Sequence, residues 1–269
     1  MRADLHIHTH HSDGSFPPER LIELAEEQRL DYLAITDHDC FASYEAASRA
    51  IALRGLALKL IPAAEFTAML DGEEIHVLGY FKEFPSTRIQ QYAGRAQAER
   101  RSRVVRALEN LAKIGVEASI DDIQAHPGCQ SLTQLHLAFL LIEKKYASSV
   151  AEARRVYLTD RVLPKFNMQA KEVVETITGE GGVAVWAHPE AENFDRNLKL
   201  LIKSGLSGVE VLNLRRQNKA SRQFVKAARK NKLVTTLGSD WHGHTHPYGY
   251  DQQLEGEKIL PAFLERLFH

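Results

Sequence analysis

Apolar and polar positions along the chain alternate between two periods. Residues 5–7 and 32–36 are short apolar runs that predict strands. Between them Pro17-Pro18 opens a helix with Leu21, Ile22, Leu24 and Ala25 on one face. A small-residue helix follows over 43–53, then an apolar strand over 56–61. Asp71-Gly72 is a hairpin turn signal between strands at 66–70 and 75–81. The middle of the chain reads differently. A long charged helix runs over 87–114 and closes at Gly115, with further helices over 133–145 and 150–158. Alternation resumes with a helix at 171–178, strand 183–187, helix 198–203, strand 209–212, helix 221–231, strand 233–237 and a last helix at 259–268. Strand–helix alternation at both ends predicts an α/β fold, a parallel sheet or barrel formed by residues 1–82 and 166–269. Residues 83–165 are expected to be a helical insertion.

Composition places the chain among ordinary globular proteins, at 44% hydrophobic and 26% charged residues. A formal net charge of -1 gives no global attraction to nucleic acid or anionic membrane, so such binding would have to be local. Two cysteines, Cys40 and Cys129, cannot build a disulfide framework and are expected to be reduced thiols of a cytoplasmic protein. No apolar stretch reaches the ~18 residues of a membrane span, and no apolar leader precedes the first histidines.

The informative residue is histidine, present 13 times. His6 and His8 stand at i and i+2, on the same face of one strand. Asp13 lies in the loop after them. His38, His188, Asp240 and His242 each follow a predicted strand, Glu65 lies just past another, and His76 begins a hairpin strand. In a parallel barrel the C-terminal strand ends gather on one face, so these distant residues would converge.

The motifs His6-Ile7-His8-Thr9 with Ser12-Asp13-Gly14, Thr36-Asp37-His38-Asp39, Ala187-His188-Pro189 and Gly238-Ser239-Asp240-Trp241-His242-Gly243 resemble the PHP (polymerase and histidinol phosphatase) family. The resemblance covers almost the whole chain. It implies a distorted seven-stranded β/α barrel, with residues 83–165 capping the active-site face. It implies two or three divalent metal ions, Mn first, with Zn or Fe as alternatives. His6, His8, Glu65 and Asp240 would hold the first metal. Glu65, His76 and His188 would hold the second, with Glu65 bridging, and Asp13, His38 and His242 the third. Glu65, Asp240 and His242 are the expected catalytic residues. Imidazole and carboxylate donors suit these ions. Three ions over three carboxylates leave about three surplus positive charges, a site for a phosphate dianion beside a metal-bridged hydroxide.

Arg100, Arg103 and His136 in the insertion, and Arg215 and Arg216 after strand 209–212, are the candidate substrate contacts. The bland alternative for the basic run at Arg100–Arg106 is a solvated helix face. Asp37 and Asp39 read either as turn caps or as acceptors for a ligand histidine. His10 and His11 could reach substrate, whereas His126, His244 and His246 read as exposed. Gln134 and Glu190 replace arginines common in similar sequences, which leaves the substrate open.

The expected function is hydrolysis of phosphate monoesters of a small metabolite or nucleotide, including a nucleotide bisphosphate. The alternative is an exonuclease trimming nucleic-acid 5′ ends, and after it a non-catalytic metal-binding domain. No obligate protein partner and no membrane association are expected.

Overall fold

The computed structural model describes residues 1–123, 125–213, 220–243, 257–258 and 261–268. Strand β1 (Arg2–Ile7) pairs in parallel with β2 (Tyr32–Ile35), which pairs in parallel with β3 (Lys59–Leu60). Helices α1 (Pro18–Glu27) and α2 (Ser43–Arg54) make the crossovers. On β2 the alternation is clean: Tyr32 and Ala34 face one apolar cluster, while Leu33 and Ile35 face α1 and α2.

The second sheet begins with the hairpin β4 (Ala63–Leu70) and β5 (Glu73–Tyr80). Its turn residues Asp71 and Gly72 have φ of 51° and 87°, the left-handed pair that a two-residue hairpin requires. β6 (Val183–Trp186) joins β5 antiparallel, and β7 (Gly208–Asn213) and β8 (Val234–Gly238) continue in parallel. Helices α6 (Ala170–Gly179), α7 (Phe194–Lys203) and α8 (Ala220–Lys230) connect or flank these strands. A two-residue strand β9 (Glu257–Lys258) pairs antiparallel with β1, and α9 (Pro261–Phe268) follows.

The architecture is therefore α/β. The hydrogen bonding describes two sheets, β3-β2-β1-β9 and β4-β5-β6-β7-β8, rather than one seven-stranded ladder. Single parallel bridges, Ile7 to Trp241 and His38 to Glu65, join the two sheets at both seams. Both sheets also face a common core, in which Ala3, Leu5 and Ala34 meet Leu78, Val185 and Val234, with Phe263 of α9 fully buried among them.

Between β5 and α6 the chain is helical. α3 (Thr87–Ala112) packs the buried residues Ile89, Tyr92, Ala93 and Ala96 of its first half on the β4–β7 sheet. Its second half joins α4 (Gln134–Glu143) and α5 (Val150–Glu152) in a separate apolar cluster from Val104 to Leu163. Two expected elements are shorter than their patterns. The strand over 56–61 reduces to β3, because Gly55 caps α2 in the left-handed region and the Leu56 N–H returns to Ile51 O. The helix over 150–158 becomes one α turn followed by a π turn, Ala153–Tyr157.

Candidate metal centre

The seam between β1 and the end of β8 is where the site begins. Gly238 lies so close to β1 that a Cβ there would sit 2.2 Å from His6 Cβ, which excludes every other residue. The Asp240 N–H donates to His6 O at 2.7 Å and the His8 N–H to Trp241 O at 3.0 Å, locking the two segments in register. Buried Asp4 accepts the N–H groups of His6 and Ser239 on one oxygen, and burial pushes its carboxyl up to about 6. Asp39, His188 and Asp240 all take positive φ (48°, 26° and 51°), a clustering of uncommon backbone at one place.

All nine residues expected as ligands come together. Their donor atoms fall into four overlapping groups: His8, Asp13, His38 and His242; His6, Glu65 and His188; His6, His8 and Asp240; and His38, Glu65 and His76. Within each group the atoms lie within 4.8 Å of one another. Glu65, 1% exposed, is the hub. Its Oε1 lies 3.0 Å from His76 Nδ1, 3.0 Å from His188 Nε2 and 3.4 Å from His6 Nε2. Its Oε2 lies 3.3 Å from His8 Nε2 and 3.2 Å from His38 Nδ1. Asp240 Oδ1 is 3.2 Å from His8 Nε2, and Asp13 Oδ1 is 3.5 Å from His242 Nε2. Glu65 and His76 sit inside the hairpin strands β4 and β5, not at strand ends, so the hairpin presents its donors from the side.

The fit to divalent ions rests on what these atoms lack. His6 Nε2, both ring nitrogens of His8, His38 Nδ1 and Asp13 Oδ1 are buried without a hydrogen-bond partner. Such orphans are costly unless something else satisfies them, and nitrogen and carboxylate oxygens converging in this way suit a metal. Burial opposes ionisation of Glu65 and Asp13, but the surrounding imidazoles outweigh it and hold both well below the usual carboxylate range. Burial holds His38 well below the ordinary histidine value despite Glu65 and Asp13, keeping it a neutral donor.

One residue of the site was not anticipated. Glu210 of β7, 2% exposed, has Oε1 3.0 Å from His6 Nδ1, and its Oε2 accepts the His188 N–H at 2.8 Å. The available signal was a lone carboxylate inside the apolar run Val209–Leu212. Asp37 and Asp39 do not fill this role. Asp37 accepts from Thr9 N, Thr9 Oγ1 and Ser12 Oγ, fixing the loop that carries Asp13.

Asp39 instead meets Arg100, which corrects the expectation of a substrate arginine. Arg100 is 5% exposed, with Nε 2.5 Å from Asp39 Oδ2 and Nη2 bonded to Thr67 Oγ1. Arg103 is likewise engaged, with Pro164 O at 2.6 Å and Glu74 at 2.7 Å. His136 accepts the Thr133 N–H on Nδ1 and caps α4, and burial lowers its basicity. It nears the centre through Thr133, whose hydroxyl donates to Asp13 Oδ2 at 3.0 Å. Arg215, Arg216, His244 and His246 lie outside the described residues. His10 stacks on His126 with ring centroids 3.7 Å apart, while His11 Nδ1 bonds Gly128 O.

A family model described as PHP domain matches residues 4–253. The chain is 32% identical to the 5′-3′ exoribonuclease Rnm of Escherichia coli (strain K12), over 89% of this chain and 84% of that protein. It is 28% identical to the phosphoribosyl 1,2-cyclic phosphate 1,2-diphosphodiesterase of Eggerthella lenta, over 90% and 95% of the two chains. A solved structure from Bifidobacterium adolescentis, described as a metal-dependent phosphoesterase, superposes with a TM-score of 0.83 at 27% identity, over 98% of this chain and 96% of that one.

Proposed function

The chain belongs to the PHP domain family, and from this premise we propose that it is a metal-dependent hydrolase releasing phosphate from monoesters of a small metabolite or nucleotide. The observation that carries the reading is Glu65 ringed by five imidazoles, with Asp13 and Asp240 at its flanks and buried nitrogens left without partners. His6, His8, Glu65 and Asp240 would hold one ion; Glu65, His76 and His188 a second; Asp13, His38 and His242 a third. We take Mn as the foremost candidate. The ions, when bound, would acidify water and neutralise charge on the phosphoryl oxygens. Glu210 orients the His6 ring, and its hydrogen bond to the His188 backbone sets the approach of that histidine. Asp240, its side chain 15% exposed, turns Oδ1 to His8 and His242, so Oδ2 could take the proton of the attacking water and give it to the leaving ester oxygen.

We read the two joined sheets as one distorted barrel, and residues 83–165 as its cover. Contacts from Gly128, Cys129 and Thr133 to His11, Ser12 and Asp13 support that placement. A cover favours small or terminal substrates over the interior of long strands. The second reading is trimming of nucleic-acid 5′ ends, favoured by the name of the Escherichia coli relative. Chromatographic analysis of the products, reading free phosphate, nucleoside and nucleotide alike, on Mn-, Zn- and Fe-loaded protein separates the two. Mononucleotides and sugar phosphates are expected to be cleaved with higher kcat/KM than an unphosphorylated dinucleotide. Faster cleavage of the dinucleotide diester would replace the phosphatase reading with the nuclease one.

A further inference from the structure

Asp13 stands farther from its strand than any other expected ligand, so sheet hydrogen bonding alone does not aim its carboxylate. Asp37 fixes the first part of its loop through Thr9 and Ser12. A further hold comes from residues 128–133, in the helical stretch between β5 and α6. The N–H groups of Gln130 and Ser131 donate to His11 O at 2.9 and 3.3 Å. His11 Nδ1 lies 2.8 Å from Gly128 O, and the Cys129 thiol donates to Ser12 O at 3.3 Å. At the end of this segment Thr133, 5% exposed, reaches the carboxylate itself, with Oγ1 3.0 Å from Asp13 Oδ2.

Thr133 is also the N-cap of α4, where its oxygen accepts the Leu135 N–H at 3.2 Å. Capping uses the oxygen and leaves the hydroxyl proton to be placed. Two acceptors compete for it, Asp13 Oδ2 at 3.0 Å and His136 Nδ1 at 3.3 Å. His136 Nδ1 already accepts the Thr133 N–H at 3.0 Å, and the carboxylate is the charged acceptor, so the proton goes to Asp13. Among the described residues no other hydrogen-bond donor reaches this carboxylate, whose side chain is 6% exposed. With Oδ2 engaged, the partnerless Oδ1 turns to His242 Nε2 and His8 Nδ1, at 3.5 and 3.8 Å.

We propose that Thr133 is a positioning residue for the third ion. By holding Asp13 Oδ2 it aims Oδ1 into the cluster of His8, His38 and His242, so this site is completed from outside the two sheets. The inference rests on the metal assignment proposed above and adds to it a residue that would touch no ion. The sheets and their strand ends carry the histidines; the helical stretch supplies the bond that sets the carboxylate among them. Loss of that bond loosens one ion and spares the other two, which take no ligand from residues 9–14.

The test compares Thr133→Val, Thr133→Ser and Thr133→Gly with the native protein, all loaded with Mn. Thr133→Val keeps the shape and loses the hydroxyl, and Thr133→Ser keeps both bonds. Thr133→Gly keeps most of the capping stability with no side chain at all. A fluorescent chelator is titrated against each protein, and bound Mn is counted by elemental analysis. Thr133→Val and Thr133→Gly are each expected to weaken one ion roughly tenfold and leave the others, with Thr133→Ser close to native. Native-like affinity in Thr133→Gly would assign the loss in Thr133→Val to the helix cap and overturn the proposal. A similar loss at every ion, or no loss in Thr133→Val, overturns it as well. If the native protein holds fewer than three ions, the three-ion assignment fails by itself. Hydrogen exchange at the Ser12 and Gly14 amides, both bonded to Thr9 O, then decides the hold on Asp13. Exchange roughly tenfold faster in Thr133→Val and Thr133→Gly than in the native protein and Thr133→Ser sustains that hold, and unchanged exchange ends it.

Discussion

Glu210 and His6 meet 3.0 Å apart, carboxylate oxygen to Nδ1, with both side chains fully buried. The contact fixes the tautomer. Nδ1–H donates to Glu210, which leaves Nε2, 3.4 and 3.5 Å from Glu65 and Asp240, as the nitrogen that would offer its lone pair to an ion held between them. Glu210→Gln keeps the shape but sets an amide N–H against either the His6 ring proton or the His188 N–H. We expect a loss of roughly 10- to 100-fold in metal affinity with the fold retained. Competition with a chromogenic chelator reads the affinity, and unchanged binding would relegate Glu210 to packing.

Glu65→Gln removes the charge shared by five imidazoles. Activity should fall by at least about two orders of magnitude and bound metal by at least one ion per chain. Elemental analysis and the melting temperature are the measurements. The apolar core, which does not include Glu65, should keep the variant folded. Near-native turnover would show that the bridge is wrongly assigned.

Arg100→Met leaves Asp39 buried without its guanidinium. Breaking a buried pair in this way costs about 3 kcal/mol or more. Denaturant unfolding should show that loss. A raised KM with unchanged stability would instead return Arg100 to the substrate.

His10 is pushed down to about 4 by partial burial and by its neighbours His126 and His11. Between about pH 6.5 and 4 the unfolded chain binds a proton here that the folded chain does not. The contribution of His10 to stability is therefore full above 6.5 and is lost as pH falls toward 4. His10→Asn should flatten that part of the stability–pH curve relative to the native protein. An identical slope in both proteins would contradict the assignment.

Much of this site was legible because its residues sit in compact motifs. His6-x-His8 needs only strand geometry, and Asp71-Gly72 announces the hairpin that carries Glu65 and His76. What escaped is what depends on partners distant in sequence. Glu210 looks like any strand interruption until β7 is laid between β6 and β8, where its side chain reaches His6 of the other sheet. Arg100 belongs to a basic run whose other members differ from it only in which way the helix faces. Its partner Asp39 comes from a turn 61 residues away. The strand over 56–61 failed for a local reason, since the helix cap at Gly55 consumed its first residues.

Because β1 finds its neighbours at residues 32–35, at the close of β8 and at Glu257–Lys258, it is made before all of them and is among the last strands to be completed. Emerging from the ribosome, His6 and His8 must wait for more than two hundred further residues before Asp240 and His242 arrive. Closing so long a loop favours slow assembly over early nucleation. No nascent fragment that stops short of His242 holds the whole donor set, so a free ion would meet only partial sites until that residue has been made. Uptake at the full centre would thus follow the making of His242, and a filled centre would certify that the segment from His6 to His242 has been made and folded.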